Sequence, residues 1–386
     1  MSLNKKYFPI IIIILIFISS LYDFGGLLRK LCYLLIIIYP FILIGFKSKI
    51  IKDKLLHIYL LFIALGLLTF LMHSLAYKSF ILHFAGLITA TMYMSFWYIF
   101  LIVNKKKFKY IYFINTLNTV YFMIGTLGVI QQHFSRNLYG FIDNRYVQIL
   151  GDLDYIAFRS TSVTGSSQVF GITMILTCLI NLDLFFKLKI KKYLIIGLVF
   201  LIFSFYSQQK SVVLLFLLYL FLASFNFKES KKLLFGFLSI TSIFIIYNFD
   251  TILLLFRLDS ISILINSELS GRLTIYSDIF SKTNILIGNG WGTYNNFIGS
   301  IFNLENNNPE SFILLLYAES GIFVVLGFCY FLMKNLLASE KKNRPIIITF
   351  ILHFFFVHTA LSPFVFPFFL LLFLRLLQPE NIKYSS

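Results

Sequence analysis

Long apolar runs separated by short polar connections recur along the whole chain. Candidate spans lie near 7–22, 27–46, 55–73, 80–103, 110–131, 168–186, 193–207, 211–227, 233–249, 310–333, 345–361 and 364–377. Because lipid offers backbone groups no hydrogen-bond partner over such lengths, each run is predicted to be helical. The pattern predicts an all-α polytopic membrane protein of about twelve transmembrane helices. Residues 1–386 are interpreted as a single integral membrane domain.

Two connections are much longer than the others. The smaller covers 132–167, and the larger covers 250–309, between the ninth and tenth spans. Within the larger, apolar residues recur every three or four positions, which predicts an amphipathic helix on the membrane surface. These residues are Ile261, Ile265, Leu269, Leu273, Tyr276 and Phe280. Gly288, Gly290 and Gly292 follow and predict a tight turn with a close backbone approach.

The charges agree with a membrane protein and give its orientation. Hydrophobic residues make up 59% of the chain and charged residues only 13%, yet the net charge is +17. About two thirds of the basic residues fall in alternate connections, which the positive-inside rule assigns to the cytoplasm together with both termini. Most of the net charge is therefore a topology signal, and nucleic acid is not an expected partner. The cysteines all lie in apolar runs, which favours neither disulfides nor a metal site.

Arginine is distributed unevenly between the two sets of connections. Arg344 is the one arginine of the basic set, whereas the long loops of the opposite, outward set carry most of the others. A guanidinium grips phosphate through two parallel hydrogen bonds and stays charged when desolvated. The asymmetry favours binding of an anionic substrate at the outer face. The alternative is that these arginines pair with loop aspartates or with lipid phosphates.

Three outward cations are the main candidates for such binding. Arg159 lies in "FRSTSVTGSSQVFG" (158–171), Lys210 in the short turn "YSQQKS" (206–211), and Arg272 on the predicted amphipathic helix. Each has an ordinary alternative, which is a snorkelling, headgroup-bound or solvated surface charge. The aspartates of "DLD" at 152–154 are too short a match to predict a metal site.

The tenth span begins with "PESFILLLYAESG" and contains two carboxylates. On a continuous helix, Glu310 and Gly321 share a face to within about 20°, whereas Glu319 is turned about 180° away. Glu310 is thus expected at the mouth of the span, and Glu319 is interpreted as a packing residue within the bundle.

Taken in order, these segments resemble the O-antigen polymerase and ligase family of bacterial envelope glycan assembly. The segment 158–171 is similar to the family's arginine before a small-residue span entry, and 206–211 to its short turn, with Lys210 where arginine is usual. The stretch 271–292 is similar to the part of the family in which an arginine precedes a helix and then a Gly-x-Gly turn. Ligases usually have His-Asn where this chain has Glu310 and Ser311, so the resemblance favours a polymerase.

The resemblance implies a metal-independent, cofactor-free glycosyltransferase of the bacterial cytoplasmic (inner) membrane, with an outward-facing active site. Donor and acceptor would be polyprenyl-diphosphate-linked glycans, membrane lipid would surround the protein, and a chain-length regulator is a further partner to consider. Glu310 would be the base, and Arg272 and Lys210 would neutralise the diphosphate leaving group. The expected substrate-binding residues are Arg159, Arg257 and Gly290.

Other functions remain open at this point. An O-antigen ligase and a capsule or exopolysaccharide polymerase belong to the same family. A lipid-linked glycan flippase is the main alternative from another class. Transporters are typically built from repeats and from helices broken near the midplane. The concentration of charge and irregular chain in outward loops favours an enzyme, and the outward arginines argue against a purely structural protein.

Overall fold

A computed structural model describes residues 61, 64–68, 71, 72, 110–133, 160, 162–164, 167–207, 209–247, 270–290, 294, 311–356 and 368. These residues are helical or lie in turns, and no strand occurs among them. The helices are α1 (Tyr110–His133), α2 (Ser167–Leu188), α3 (Lys191–Phe205), α4 (Lys210–Ser224), α5 (Lys228–Tyr247), α6 (Ser270–Lys282), α7 (Phe312–Ala338) and α8 (Arg344–Phe356).

Three of the described helices are long and apolar enough to cross a membrane. They cover Phe113–His133, Ser167–Leu188 and Phe312–Ala338, with mean hydropathies of 1.4, 2.0 and 2.2. At 1.5 Å per residue, each exceeds or matches a hydrocarbon core of about 30 Å. The all-helical, membrane-type fold predicted from the sequence is confirmed to this extent. The predicted total of about twelve spans depends also on ranges outside the described residues.

Helix α2 lies at the centre of the described helices. It contacts α3, α4 and α1, and its residues from Phe170 to Leu184 are all buried. A helix that is apolar all round must be surrounded by other helices rather than lie at a surface. One polar contact fixes it against α1, because the side-chain amides of Asn118 and Asn181 donate to each other across 2.9 and 2.7 Å.

Short connections make α2 and α3, and likewise α4 and α5, antiparallel neighbours, whereas α3 and α4 both pack against α2 and scarcely contact each other. Lys189 and Ile190 join α2 to α3, residues 206–209 join α3 to α4, and residues 225–227 join α4 to α5. A short connection between two packed helices reverses the direction of the chain. The same reasoning applies to α7 and α8, which are joined through the 3₁₀ turn Lys341–Asn343.

Three of the basic connections predicted to share one side of the membrane meet at one end of the described helices. The Lys187 ammonium lies 3.1 Å from Asp183 and donates to the Asn343 side chain at 2.5 Å. Lys189 forms an ion pair with Glu229 at 2.6 Å, and this hydrogen bond lowers the pKa of Glu229 below its ordinary value. The segments 187–192, 228–232 and 341–344 therefore form one basic end, as the alternation of charge predicts.

Candidate functional site

The predicted glycine turn follows α6 and is held together by its own polar groups. The Asn284 side-chain oxygen accepts hydrogen bonds from the backbone N–H groups of Leu286 and Ile287, at 3.0 and 3.3 Å. The N–H of Gly288 then donates to the Asn284 carbonyl at 2.8 Å. Gly288 and Gly290 have φ of 69° and 97°, a region that side chains with a Cβ disfavour. The expectation of a tight turn is confirmed for Gly288 and Gly290; Gly292 lies outside the described residues.

This turn docks on a break in α7. Gly321 has φ 77° and ψ 179°, so the helix is interrupted inside the candidate span. The N–H groups of Asn289 and Gly290 donate to the carbonyls of Ala318 and Glu319, at 2.8 and 3.0 Å, and the Ile322 N–H donates to the Ile285 carbonyl at 2.8 Å. The turn thus satisfies backbone groups that the break would leave unpaired in an apolar environment.

The approach of the two backbones requires glycine on both sides. A Cβ at Gly288 would lie 2.4 Å from the backbone of Glu319 and Ser320, and a Cβ at Gly321 would lie 2.2 Å from the Leu286 carbonyl oxygen. Real Cβ atoms do not approach backbone atoms this closely. The three glycines of the docked turn and the break therefore form one structural unit, called here the glycine dock (Gly288, Gly290 and Gly321).

The glycine dock corrects the geometry expected for "PESFILLLYAESG". Helix α7 begins at Phe312, after Ser311, whose hydroxyl accepts the Leu314 N–H at 3.4 Å as an N-cap. The expected helix start at residue 310 and the wheel angle from Glu310 to Gly321 are therefore wrong, because neither Ser311 nor Gly321 has helical backbone. Glu319 is buried at 9% exposure, as a packing residue would be, and its carbonyl accepts the Gly290 N–H.

A second group of polar contacts joins the end of α1 to the segment that precedes α2 and to the segment that precedes α4. It is called here the polar junction and consists of Gln131, Ser160, Ser162, Ser167, Tyr206 and Gln209. The Ser160 hydroxyl lies 2.8 Å from the Gly128 carbonyl and 3.2 Å from Gln131 Oε1. The Ser160 N–H donates to the Tyr206 carbonyl at 3.0 Å. Ser160 is fully buried, so each of these contacts replaces a hydrogen bond to water.

The rest of the polar junction extends to the starts of α2 and α4. Gln131 Oε1 accepts the Ser162 N–H at 2.8 Å, and the Ser162 hydroxyl donates to the Ile124 carbonyl at 2.6 Å. Gln209 Nε2 donates to the Ser167 hydroxyl at 3.0 Å. The polar junction lies at the end of the described helices opposite the basic end, since α1 and α3 finish there and α2 and α4 begin there.

The polar junction brings two predicted segments into contact. The ranges 158–171 and 206–211 are far apart along the chain, yet Ser160 binds Tyr206 and Ser167 binds Gln209. The contribution of α1 was not predicted from the sequence. The feature of the sequence that could have indicated it is the polar run Gln131–His133 at the end of an apolar span. In that run, His133 Nε2 lies 3.1 Å from the Tyr206 hydroxyl.

A substitution at Gly171 tests whether the segments 158–171 and 206–211 must lie as close together as observed. A Cβ at this position would lie 2.3 Å from the Ser207 hydroxyl and 3.1 Å from a Val212 methyl group. We expect Gly171→Ala to force Ser207 away and to destabilise the protein by about 1–3 kcal/mol. The measurement is thermal unfolding of the detergent-solubilised protein. Gly236→Ala is the control, since nothing lies within 4 Å of its Cβ position, and a loss of stability as large there would contradict this reading.

The predicted site residues differ in how far the structure describes them. Glu310, Arg159 and Arg257 lie outside the described residues. The backbone of Lys210 forms the first residue of α4, and that of Arg272 lies in the first turn of α6. Gly290 is buried, and its N–H is already bound to α7. Its observed contact is therefore structural, and a role in substrate binding stays a prediction.

The helix positions of Lys210 and Arg272 bear on their chemistry. Neither α4 nor α6 has an acidic residue in its first turn. A cation there gains nothing from the helix dipole, whose positive end lies at the N-terminus. A bound anion, by contrast, is attracted both by the helix N-terminus and by the charge of the side chain. A role of either residue in anion binding stays a prediction.

Among the residues that the structure describes, no group of three His, Cys, Asp or Glu side chains is arranged to hold a metal ion. Comparison of the chain with protein-family models, with curated proteins and with solved structures finds no match.

Proposed function

We propose that this protein is a polymerase of polyprenyl-diphosphate-linked oligosaccharide repeat units, an O-antigen polymerase. The observation that carries the proposal is the polar junction, where the 158–171 and 206–211 segments bind each other at the end opposite the basic residues. In the family that the sequence resembles, both segments carry an outward cation. A site built from both segments requires that they lie in contact with each other.

The chemistry of the proposed reaction requires an anion site and a base. The diphosphate leaving group develops charge as the glycosidic bond breaks, and fixed cations stabilise that charge. Lys210 and Arg272, whose helices have no acidic residue in their first described turns, suit this role, with Arg159 and Arg257 as further substrate contacts. Glu310 would accept the proton of the acceptor hydroxyl. Attack opposite the departing diphosphate predicts inversion at the anomeric carbon.

The proposed orientation follows from the charges. The basic end of the described helices would face the cytoplasm under the positive-inside rule. The polar junction would then face outward, where lipid-linked repeat units are joined without a nucleotide. A diphosphate held by cationic side chains leaves directly, so neither metal nor cofactor is needed for the proposed transfer.

A lipid-linked glycan flippase is the second candidate, and the break in α7 favours it. Transporters often contain helices interrupted inside the membrane, and Gly321 interrupts a candidate span. Irregular chain therefore also occurs inside a candidate span, in addition to the outward loops where the sequence predicts that it is concentrated. The polymerase remains preferred because the glycine dock pairs the broken backbone with another part of the same chain, which leaves those groups unavailable to a substrate.

Deleting the gene and separating the surface glycan by gel electrophoresis tests the proposal. A polymerase predicts loss of the ladder with a single repeat unit retained. Complete loss of capped acceptor would instead indicate a ligase of the same family, and accumulation of the complete lipid-linked unit on the cytoplasmic side would indicate a flippase. An unchanged glycan would contradict all three functions.

A further inference from the structure

We propose that Gln131 and Ser160 are positioning residues, which hold the turn before Lys210 so that its charge can bind the diphosphate of a lipid-linked donor. This inference rests on the proposed function and assigns it two residues of the polar junction that had no individual role in the sequence analysis. Neither residue is charged, and both are buried, Gln131 at 1% and Ser160 at 0% exposure. They act through the backbone of the turn rather than by touching substrate.

The first step of the argument is the anchorage at α1. Gln131 Oε1 accepts the N–H of Ser162 and lies 3.2 Å from the Ser160 hydroxyl, so one side-chain oxygen binds two residues of the same short segment. The Ser160 hydroxyl also contacts the Gly128 carbonyl at 2.8 Å. Because all of these groups are buried, the segment cannot exchange them for water without loss of free energy.

The second step connects this segment to the turn. The Ser160 N–H donates to the Tyr206 carbonyl, and the Ser207 hydroxyl donates to the Ser204 carbonyl at 2.6 Å. Gln209 donates from its side chain to Ser167. Contacts at Tyr206, Ser207 and Gln209 thus hold the chain before Lys210, which begins α4.

The third step concerns lysine itself. Its ammonium is a point charge on a flexible stem, so the side chain alone specifies no geometry. The position of its charge relative to a bound diphosphate therefore depends on how firmly its backbone is held. The chain supplies this through Gln131 and Ser160, and loss of the Gln131 acceptor should release the turn while leaving the lysine charge intact.

The experiment measures binding of two lipid phosphates to the full-length protein in detergent. The probes are geranylgeranyl diphosphate and geranylgeranyl monophosphate. We expect Gln131→Met, which keeps the side-chain volume but removes the acceptor, to bind the diphosphate about tenfold more weakly. Monophosphate binding should change little. In a Lys210→Ala background the same substitution should have no further effect on diphosphate binding, because the two residues act as one unit.

Asn118→Leu is the matched control. It removes a buried amide contact between α1 and α2 without touching the turn, so it should lower thermal stability but leave diphosphate preference unchanged. Equal loss of preference in Asn118→Leu, or wild-type preference in Gln131→Met, would overturn the positioning role alone. A wild-type protein that binds both lipids equally would also contradict the proposed diphosphate site.

Discussion

Replacing Gly321 with alanine is expected to undock the glycine turn from α7 and to destabilise the protein by about 3 kcal/mol or more. Two effects combine at this residue. The backbone has φ 77° and ψ 179°, which is a conformation almost confined to glycine. In addition, the new Cβ would lie 2.2 Å from the Leu286 carbonyl oxygen, a backbone atom that cannot turn away. Gly288→Ala, on the other side of the contact, should behave in the same way.

The measurement is the temperature at which the detergent-solubilised protein loses its monodisperse elution peak. Gly327→Ala lies on the same helix and provides the control, because nothing lies within 4 Å of its Cβ position. A helix-interior glycine replaced by alanine gains about 0.5–1 kcal/mol, so this variant should be slightly more stable than wild type. If Gly321→Ala proved as stable as Gly327→Ala, the docked turn would not be a feature of the folded protein.

Glu310→Gln is expected to abolish formation of long glycan chains at normal expression. Removing a general base costs about 10²- to 10⁴-fold in rate, since glutamine cannot accept the proton of the acceptor hydroxyl. The readout is the ladder of surface glycan on a gel, with protein abundance measured in the same membranes. Glu305→Gln is the control, because it removes a carboxylate from the same loop five residues earlier in the chain. Long chains in Glu310→Gln would exclude Glu310 as the base.

Arg272→Ala is expected to cause a comparable loss through the leaving group rather than the acceptor. Loss of one fixed cation at a developing charge costs about 10²–10³-fold. Arg272→Lys keeps the charge but not the planar fork, so partial activity should return. Lys282→Ala is the matched control on α6, since Lys282 pairs with Asp278 at 2.9 Å on the exposed surface. A wild-type ladder in Arg272→Ala would show that it does not clamp a phosphate.

Glu310→Gln and Arg272→Ala could both leave the glycan ladder unchanged while Gly321→Ala still undocks the turn. In that case the fold described here stands and the proposed polymerase does not. A flippase would then become the better hypothesis, because it uses the interrupted helix α7 without requiring Glu310 as a base. The stability and glycan measurements therefore test different parts of the argument.

Hydropathy predicted the described helices closely. The spans expected at 110–131 and 168–186 are observed as Tyr110–His133 and Ser167–Leu188, and the three basic connections that the structure describes meet at one end. Both features depend on local composition, since an apolar run in lipid must satisfy its own backbone and cations resist transfer. A helix is observed from Ser270 to Lys282 within the predicted amphipathic stretch. Its position on the membrane surface stays a prediction, and the earlier part of the stretch lies outside the described residues.

The break in α7 shows where local reasoning stops. The sequence "YAESGIF" is apolar enough to continue a helix, and an isolated glycine is often tolerated inside one. The conformation of Gly321 is decided by Asn289, Gly290 and Ile285, which donate to or accept from the broken backbone. No pattern within α7 contains this information, because the partners come from a loop about thirty residues earlier.

The sequence by itself determined that this is a helical membrane protein, which connections are basic, and where glycines permit a turn. These properties follow from side-chain transfer free energies and backbone sterics, which each residue carries with it. Only the tertiary structure decided that Ser160 binds Tyr206, that Gln131 supports both, and that the glycine turn completes the interrupted helix. Such contacts join distant segments, and a buried polar group takes whichever partner the packing of the helices brings within hydrogen-bond distance.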